Sequence, residues 1–301
     1  MKYYFSKLLL FGEYSVIKGS RALAVPLSRF KGYWRQAESE AEAKSQQQNL
    51  PELVETLKSK SSLLPILDVE RMEKEIEDGL YFASNIPRGY GVGSSGALCA
   101  AIYDRYARNP IMVEETNRLE ELQAILADLE QFYHGSSSGT DPLICYLDKT
   151  ILIDPEKGIQ TLSFPKDHVT RAGYQFFLLD TDISRSTGPL VKLFLEKCKN
   201  PIYEQRLASE YIPHVEEIIE AFLIREVENI FENFHLISYY QFKYFKEMIP
   251  PEYIDPWLKG LSSPTFKLKL CGAGGGGFFL GISNNQLQTR MALRGYHTIF
   301  L

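Results

Sequence analysis

Gly89-Tyr90-Gly91-Val92-Gly93-Ser94-Ser95-Gly96 follows a run, Tyr81 to Ile86, that alternates weakly and ends at Pro87. The apolar segment Ala97-Leu98-Cys99-Ala100-Ala101-Ile102-Tyr103 comes directly after it. That order reads as strand, glycine loop, helix. Glycines without a Cβ let backbone N–H groups converge on anionic oxygens, and the positive end of the following helix adds to the attraction. Ser94 and Ser95 stand where the helix begins, with hydroxyls suited to capping it or to a magnesium ion. Taken alone, such a loop is as often a tight turn with an N-cap as a phosphate site. Gly91 to Gly96 also matches GxGxxG, with Glu114 and Glu115 about 20 residues on. Those acids follow Asn109-Pro110 and end no second strand, so the dinucleotide reading is weak.

Two further segments add weight. His134-Gly135-Ser136-Ser137-Ser138-Gly139-Thr140-Asp141 closes a helical pattern carrying Leu119, Leu122, Ile125, Leu126, Leu129 and Phe132 on one face. Glu130 lies on that helix, eleven residues before Asp141. The second segment is another glycine loop, Gly272-Ala273-Gly274-Gly275-Gly276-Gly277, between strand-like runs Lys267–Cys271 and Phe278–Ile282. One carboxylate for magnesium and a second facing a hydroxyl is how phosphoryl transfer divides its labour. Each residue also has a plainer role. Glu130 near a helix C-terminus suits a surface salt bridge, Asp141 before Pro142 a turn, and Lys7 a solvated strand edge. His134 serves equally as a structural hydrogen-bonding group.

The bulk properties narrow the class. With 301 residues, 45% hydrophobic and 24% charged, the chain is an ordinary globular protein of one large or two medium domains. A net charge of −5 argues against nucleic acid or an anionic membrane as partner, so an anionic substrate needs a local cationic site. Cys99, Cys145, Cys198 and Cys271 are widely spaced, which suggests reduced, buried thiols and a cytoplasmic protein. No run approaches the ~20 apolar residues that span a bilayer. Lys7 to Gly12 and Ala22–Pro26 read as short strands, and 36–60 as a polar surface helix or insertion. Tyr174–Asp180 reads as a buried strand and Glu204–Asn233 as largely helical. A boundary between 165 and 166 divides an N-terminal domain, 1–165, from a C-terminal one, 166–301.

The motifs in this order resemble those of the GHMP kinases, the family of galactokinase and of homoserine, mevalonate and phosphomevalonate kinases. The resemblance rests on Lys7-Leu8-Leu9-Leu10-Phe11-Gly12-Glu13-Tyr14, on Ile86–Ser95 and on Lys269–Gly277. Glu130…His134-Gly135…Ser138-Gly139…Asp141 and Thr181–Thr187 are most similar to the mevalonate kinase subgroup. It implies an α+β, two-domain GHMP kinase fold: an N-terminal α+β domain with a left-handed βαβ crossover and a C-terminal ferredoxin-like domain. It further implies ATP and Mg2+, with Asp141 and Lys7 catalytic and Gly89, Gly91, Gly93, Ser94, Ser95 and Gly96 around the phosphates. Glu130 and Ser95 are the implied metal ligands, and Glu13, Tyr14, Arg185, Thr187 and Gly274 the acceptor residues. Arg185 and Lys18 are the candidates to hold an acceptor carboxylate. The implied partner is a small hydroxy acid, mevalonate phosphorylated on its primary hydroxyl, with no nucleic acid or membrane and with a homodimer left open. Tyr14 replaces the subgroup's histidine, Cys271 a threonine and Gly96 an alanine, the last expected to matter little. Phosphomevalonate, another hydroxy acid, a sugar or a non-catalytic binding role stay open as alternatives.

Overall fold

The computed structural model describes residues 1–163 and 173–301. The chain forms two compact units: residues 1–8, 25–87 and 92–150, and residues 9–24, 88–91 and 151–301. The boundary expected between 165 and 166 lies outside the described residues.

The chain begins with β1 (Tyr4–Phe11) and continues along β2 (Ala22–Gln36). The expected short strand at Ala22–Pro26 is therefore only the start of a 15-residue one. Pro26 does not end it, because it falls between residues 22–24, paired with one strand, and 32–36, paired with another. The polar stretch after β2 folds as α1 (Glu40–Gln46), α2 (Leu50–Ser59) and α3 (Val69–Glu77). Ser39 caps α1 by accepting from the Glu42 amide, and Asp68 caps α3 by accepting from that of Arg71. Next comes β3 (Leu80–Ser84), antiparallel to β2 with Gly32 opposite Ser84. A Cβ at Gly32 would lie 2.2 Å from the Phe82 ring, so glycine lets that ring cross the strand. Trp34 meets Phe82 edge-on and sends its indole N–H to the Ala101 carbonyl, tying β2 to the next helix.

That helix, α4 (Ser94–Tyr106), is buried along most of its length, as its run of small residues allows. It packs with α5 (Leu119–His134) and α6 (Thr140–Leu147). Leu119, Leu122, Leu126 and Leu129 are buried, as their spacing predicts.

The second unit contains β4 (Thr150–Asp154), antiparallel to residues 22–24 of β2, and β5 (Gly158–Leu162) beside it. Its larger part opens on β6 (Gln175–Asp180). Helices α7 (Thr187–Cys198), α8 (Pro201–Arg206), α9 (Ile212–Ile224), α10 (Val227–Tyr244) and α11 (Ile254–Ser262) follow. It closes with β7 (Phe266–Leu270), β8 (Phe278–Ser283), α12 (Gln286–Ala292) and β9 (His297–Phe300). The sheet order is β7-β8-β6-β9, all antiparallel. Helices after the first strand and before the last, with that order, make the expected ferredoxin-like arrangement. The predicted helical run from 204 is interrupted at Arg225, whose φ of 65° ends α9 in a left-handed turn. Among the described residues no helix is long and apolar enough to cross a membrane.

Candidate functional site

Within the first unit the predicted residues converge at the N-termini of α4 and α6. Gly93 and Gly139 cap these helices with φ of 81° and 71°, and neither gives a side-chain cap to the first-turn amides. Lys7 comes in from β1, and its amide donates to the Val92 carbonyl at 3.0 Å. A Cβ at Gly93 would stand 2.9 Å from Lys7 Cγ, so this glycine makes room for the lysine stem. Lys7 Nζ then reaches Asp141 Oδ2 at 3.0 Å, the lysine side chain being 8% exposed and the aspartate 38%. Asp141 sits in the first turn of α6, not in the turn before it, where the helix dipole favours its charge.

Glu130 lies beside this pair, buried near the end of α5. Ser95 donates to its Oε1 at 2.8 Å and Ser137 to its Oε2 at 2.5 Å. Burial, and then the nearby Asp141 charge, raise the Glu130 carboxyl above the usual glutamate value. Ser95 Oγ is also 2.9 Å from His134 Nε2. Ser137 accepts from the Gly139 amide at 2.9 Å, so one hydroxyl links the Glu130 carboxylate to the cap of α6.

Gly96 matters more than the sequence suggested. A Cβ there would lie 2.9 Å from both the Asp141 carbonyl carbon and the Pro142 nitrogen. The missing methyl is what lets α6 carry Asp141 this close to α4.

The remaining predicted residues gather in the second unit. Glu13 follows Gly12, which has φ 110° and where a Cβ would lie 2.4 Å from Ala22 Cβ, so no side chain fits. Its carboxylate pairs with Lys269 Nζ in full burial, 1% and 0% exposed. Desolvation raises the Glu13 carboxyl and Lys269 partly pulls it back. Tyr14, at φ 65°, buries its ring against Phe194 and Phe245 and donates from its hydroxyl to the Ala273 carbonyl at 2.7 Å. Gly274 is held in the same loop, where a Cβ would lie 2.6 Å from the Met248 carbonyl oxygen.

Arg185 spans the two glycine segments of this unit. Its amide donates to the Gly89 carbonyl at 3.1 Å and its Nη2 to the Cys271 carbonyl at 3.2 Å. A Cβ at Gly91 would lie 2.3 Å from that same Nη2. Nη1 donates to Thr187 Oγ1 at 2.8 Å, and Thr187 is exposed. Lys18, the other expected partner of an acceptor carboxylate, is paired with Glu204 at 2.5 Å.

The oxygen donors in the first unit suit magnesium. Among the described residues no three or more His, Cys, Asp or Glu side chains form a metal cage. Magnesium needs none, since one or two carboxylates with phosphate oxygens and water suffice. Glu130, raised by burial and by a second carboxylate, with a serine hydroxyl against it, is a group that a dication relieves.

Sequence reasoning missed Ser137 and left His134 undecided. Glu130 and His134 are four residues apart, on one face of α5, and that spacing was the available signal. Ser137 had none beyond its place in a serine run.

Residues 57–149 match the family of GHMP kinases N terminal domain. No curated protein matches the sequence. Over its whole length the chain has the two-domain GHMP kinase fold. It is similar to L. major mevalonate kinase, solved with R-mevalonate, at 16% identity and TM-score 0.62, covering 99% of this chain and 94% of that one. It is also similar to Streptococcus pneumoniae phosphomevalonate kinase, solved with phosphomevalonate and AMPPNP, at 14% identity and TM-score 0.60, covering 100% of both chains. A third is Lactococcus lactis galactokinase with galactose, at 16% identity and TM-score 0.62, covering 100% and 92%. GHMP kinases are phosphotransferases that act on an alcohol group.

Proposed function

We propose that the protein is a kinase that transfers the γ-phosphoryl group of ATP to the primary hydroxyl of mevalonate, giving 5-phosphomevalonate and ADP. The observation that carries this reading is the ion pair of Lys7 with Asp141 beside the Glu130–Ser95 hydrogen bond, at the glycine-capped N-termini of α4 and α6. Asp141, partly exposed and fixed by Lys7, accepts the proton of the acceptor hydroxyl. The first-turn amides of α4, with Gly93, Ser94, Ser95 and Gly96, bind phosphate oxygens, and Gly89 and Gly91 continue that loop. Glu130 and Ser95 hold magnesium, which when bound neutralises phosphate charge. Lys7 adds positive charge next to the reacting groups, so positioning and electrostatics supply most of the catalysis.

Arg185 and Thr187 bind the acceptor carboxylate, the guanidinium being already oriented by Thr187 and the Cys271 carbonyl. Glu13, Tyr14 and Gly274 shape the second glycine loop from behind, through the Lys269 pair and the Ala273 hydrogen bond. A mevalonate acceptor fits the Arg185-Ser186-Thr187 segment and the likeness to L. major mevalonate kinase. Phosphomevalonate is the second reading, because the phosphomevalonate kinase likeness covers both chains in full.

The test is ADP release from Mg-ATP by the purified protein, with mevalonate, phosphomevalonate, other hydroxy acids and galactose added singly. Release that depends on mevalonate supports the reading, and release with phosphomevalonate alone moves the substrate to the second. Nucleotide binding without turnover on any acceptor makes the protein a non-catalytic binder.

A further inference from the structure

His134 lies four residues beyond Glu130 on α5, and its Nε2 is 2.9 Å from Ser95 Oγ. The proposed function gives this ring no task. A serine hydroxyl has one proton and two lone pairs, and an ionised carboxylate only accepts. Without metal, the Ser95 proton goes to Glu130 Oε1 at 2.8 Å. A hydroxyl that lends a lone pair to a cation turns its proton away from that cation, and so away from a carboxylate oxygen bound to the same cation. Ser137 donates to Glu130 Oε2 and accepts from the Gly139 amide, and among the described residues it makes no hydrogen bond with Ser95. Among the described residues the imidazole nitrogen is the other hydrogen-bond partner of Ser95 Oγ. His134 is exposed, so the Nδ1–H tautomer that leaves Nε2 free to accept meets water.

We infer that His134 is a positioning residue for the metal site: its Nε2 accepts the Ser95 hydroxyl proton and so frees the Ser95 oxygen to ligate magnesium beside Glu130. This inference rests on the proposed roles of Glu130 and Ser95. A purely structural His134, placed in the last turn of α5, would act on helix stability through the dipole and leave metal affinity alone.

Titration calorimetry of AMPPNP binding to the full chain, across a range of Mg2+ concentrations and in EDTA, separates these roles. His134→Phe is expected to raise the Mg2+ concentration that half-saturates the gain in nucleotide affinity by about tenfold, in keeping with other residues that orient metal ligands. Binding in EDTA should stay at the wild-type level. His134→Gln, whose amide oxygen falls near the position of Nε2, should recover most of the loss. Wild-type Mg2+ dependence in His134→Phe, or equal impairment in both variants, overturns the inference and leaves the kinase reading standing. A wild-type protein whose nucleotide affinity ignores Mg2+ overturns the roles of Glu130 and Ser95, and the inference with them.

Discussion

Two lysine–carboxylate pairs, one in each unit, use the same chemistry for different ends. Lys7–Asp141 leaves its carboxylate 38% exposed at a helix N-terminus, whereas Lys269–Glu13 is 0% and 1% exposed. In the first pair the acid meets water and a dipole that stabilises its charge, so it is available to a reacting hydroxyl. In the second, both charges have left water. Each then depends on the other, because the desolvation penalty comes due in full once either is removed. On the proposed roles, exposure of the acid, not the identity of the pair, separates a reactive group from a structural one.

The largest effect should come from the exposed pair. Asp141→Asn should cut kcat by about 10²–10⁴-fold, the usual contribution of a general base, with thermal unfolding close to wild type. A variant that turns over within a few-fold of wild type ends the proposed role. At the buried pair the loss should be in stability. Lys269→Met strands the Glu13 carboxylate and is expected to cost about 3–5 kcal/mol in urea unfolding, whereas Lys7→Met leaves a solvated acid and costs much less. Equal costs for the two variants would break the comparison.

The smallest effect concerns pH and metal-free protein. Glu130 is raised above 4.5, by burial first and by Asp141 second. Its protonated form therefore favours the fold, a contribution present in full below the ordinary glutamate value and lost as pH rises through the raised one. Wild type should lose stability relative to Glu130→Gln as pH rises from 4.5, measured by urea unfolding in EDTA. A difference that does not change with pH would mean that Glu130 is not desolvated.

Much of this was legible because it is local. The glycines at 89, 91 and 93 all take positive φ, and the apolar periodicity of 119–132 marks α5 with Glu130 near its end. The strands around the second glycine loop appear where their apolar runs stand. What escaped depends on a partner far along the chain. Gly96 looked neutral until α6 came within 2.9 Å of the place its Cβ would take. Tyr14, expected at the acceptor, has a hydroxyl bonded to a carbonyl 259 residues away, which no local pattern announces. Arg225 carries no glycine signal for the left-handed turn that it makes. The reach of β2 past Pro26 was set by partners on either side of it.

The sequence by itself determined the chemical inventory: which acids, which lysines and which glycine loops, each attached to a helix or strand by periodicity that acts over a few residues. The tertiary structure decided how those groups are solvated and paired. It chose which carboxylate keeps contact with water, which lysine is sealed in, and that Ser95 stands between Glu130 and His134. Dihedral preference and amphipathic spacing are carried by neighbours in the chain, whereas desolvation and hydrogen-bond partnership exist only once distant segments have closed around a group.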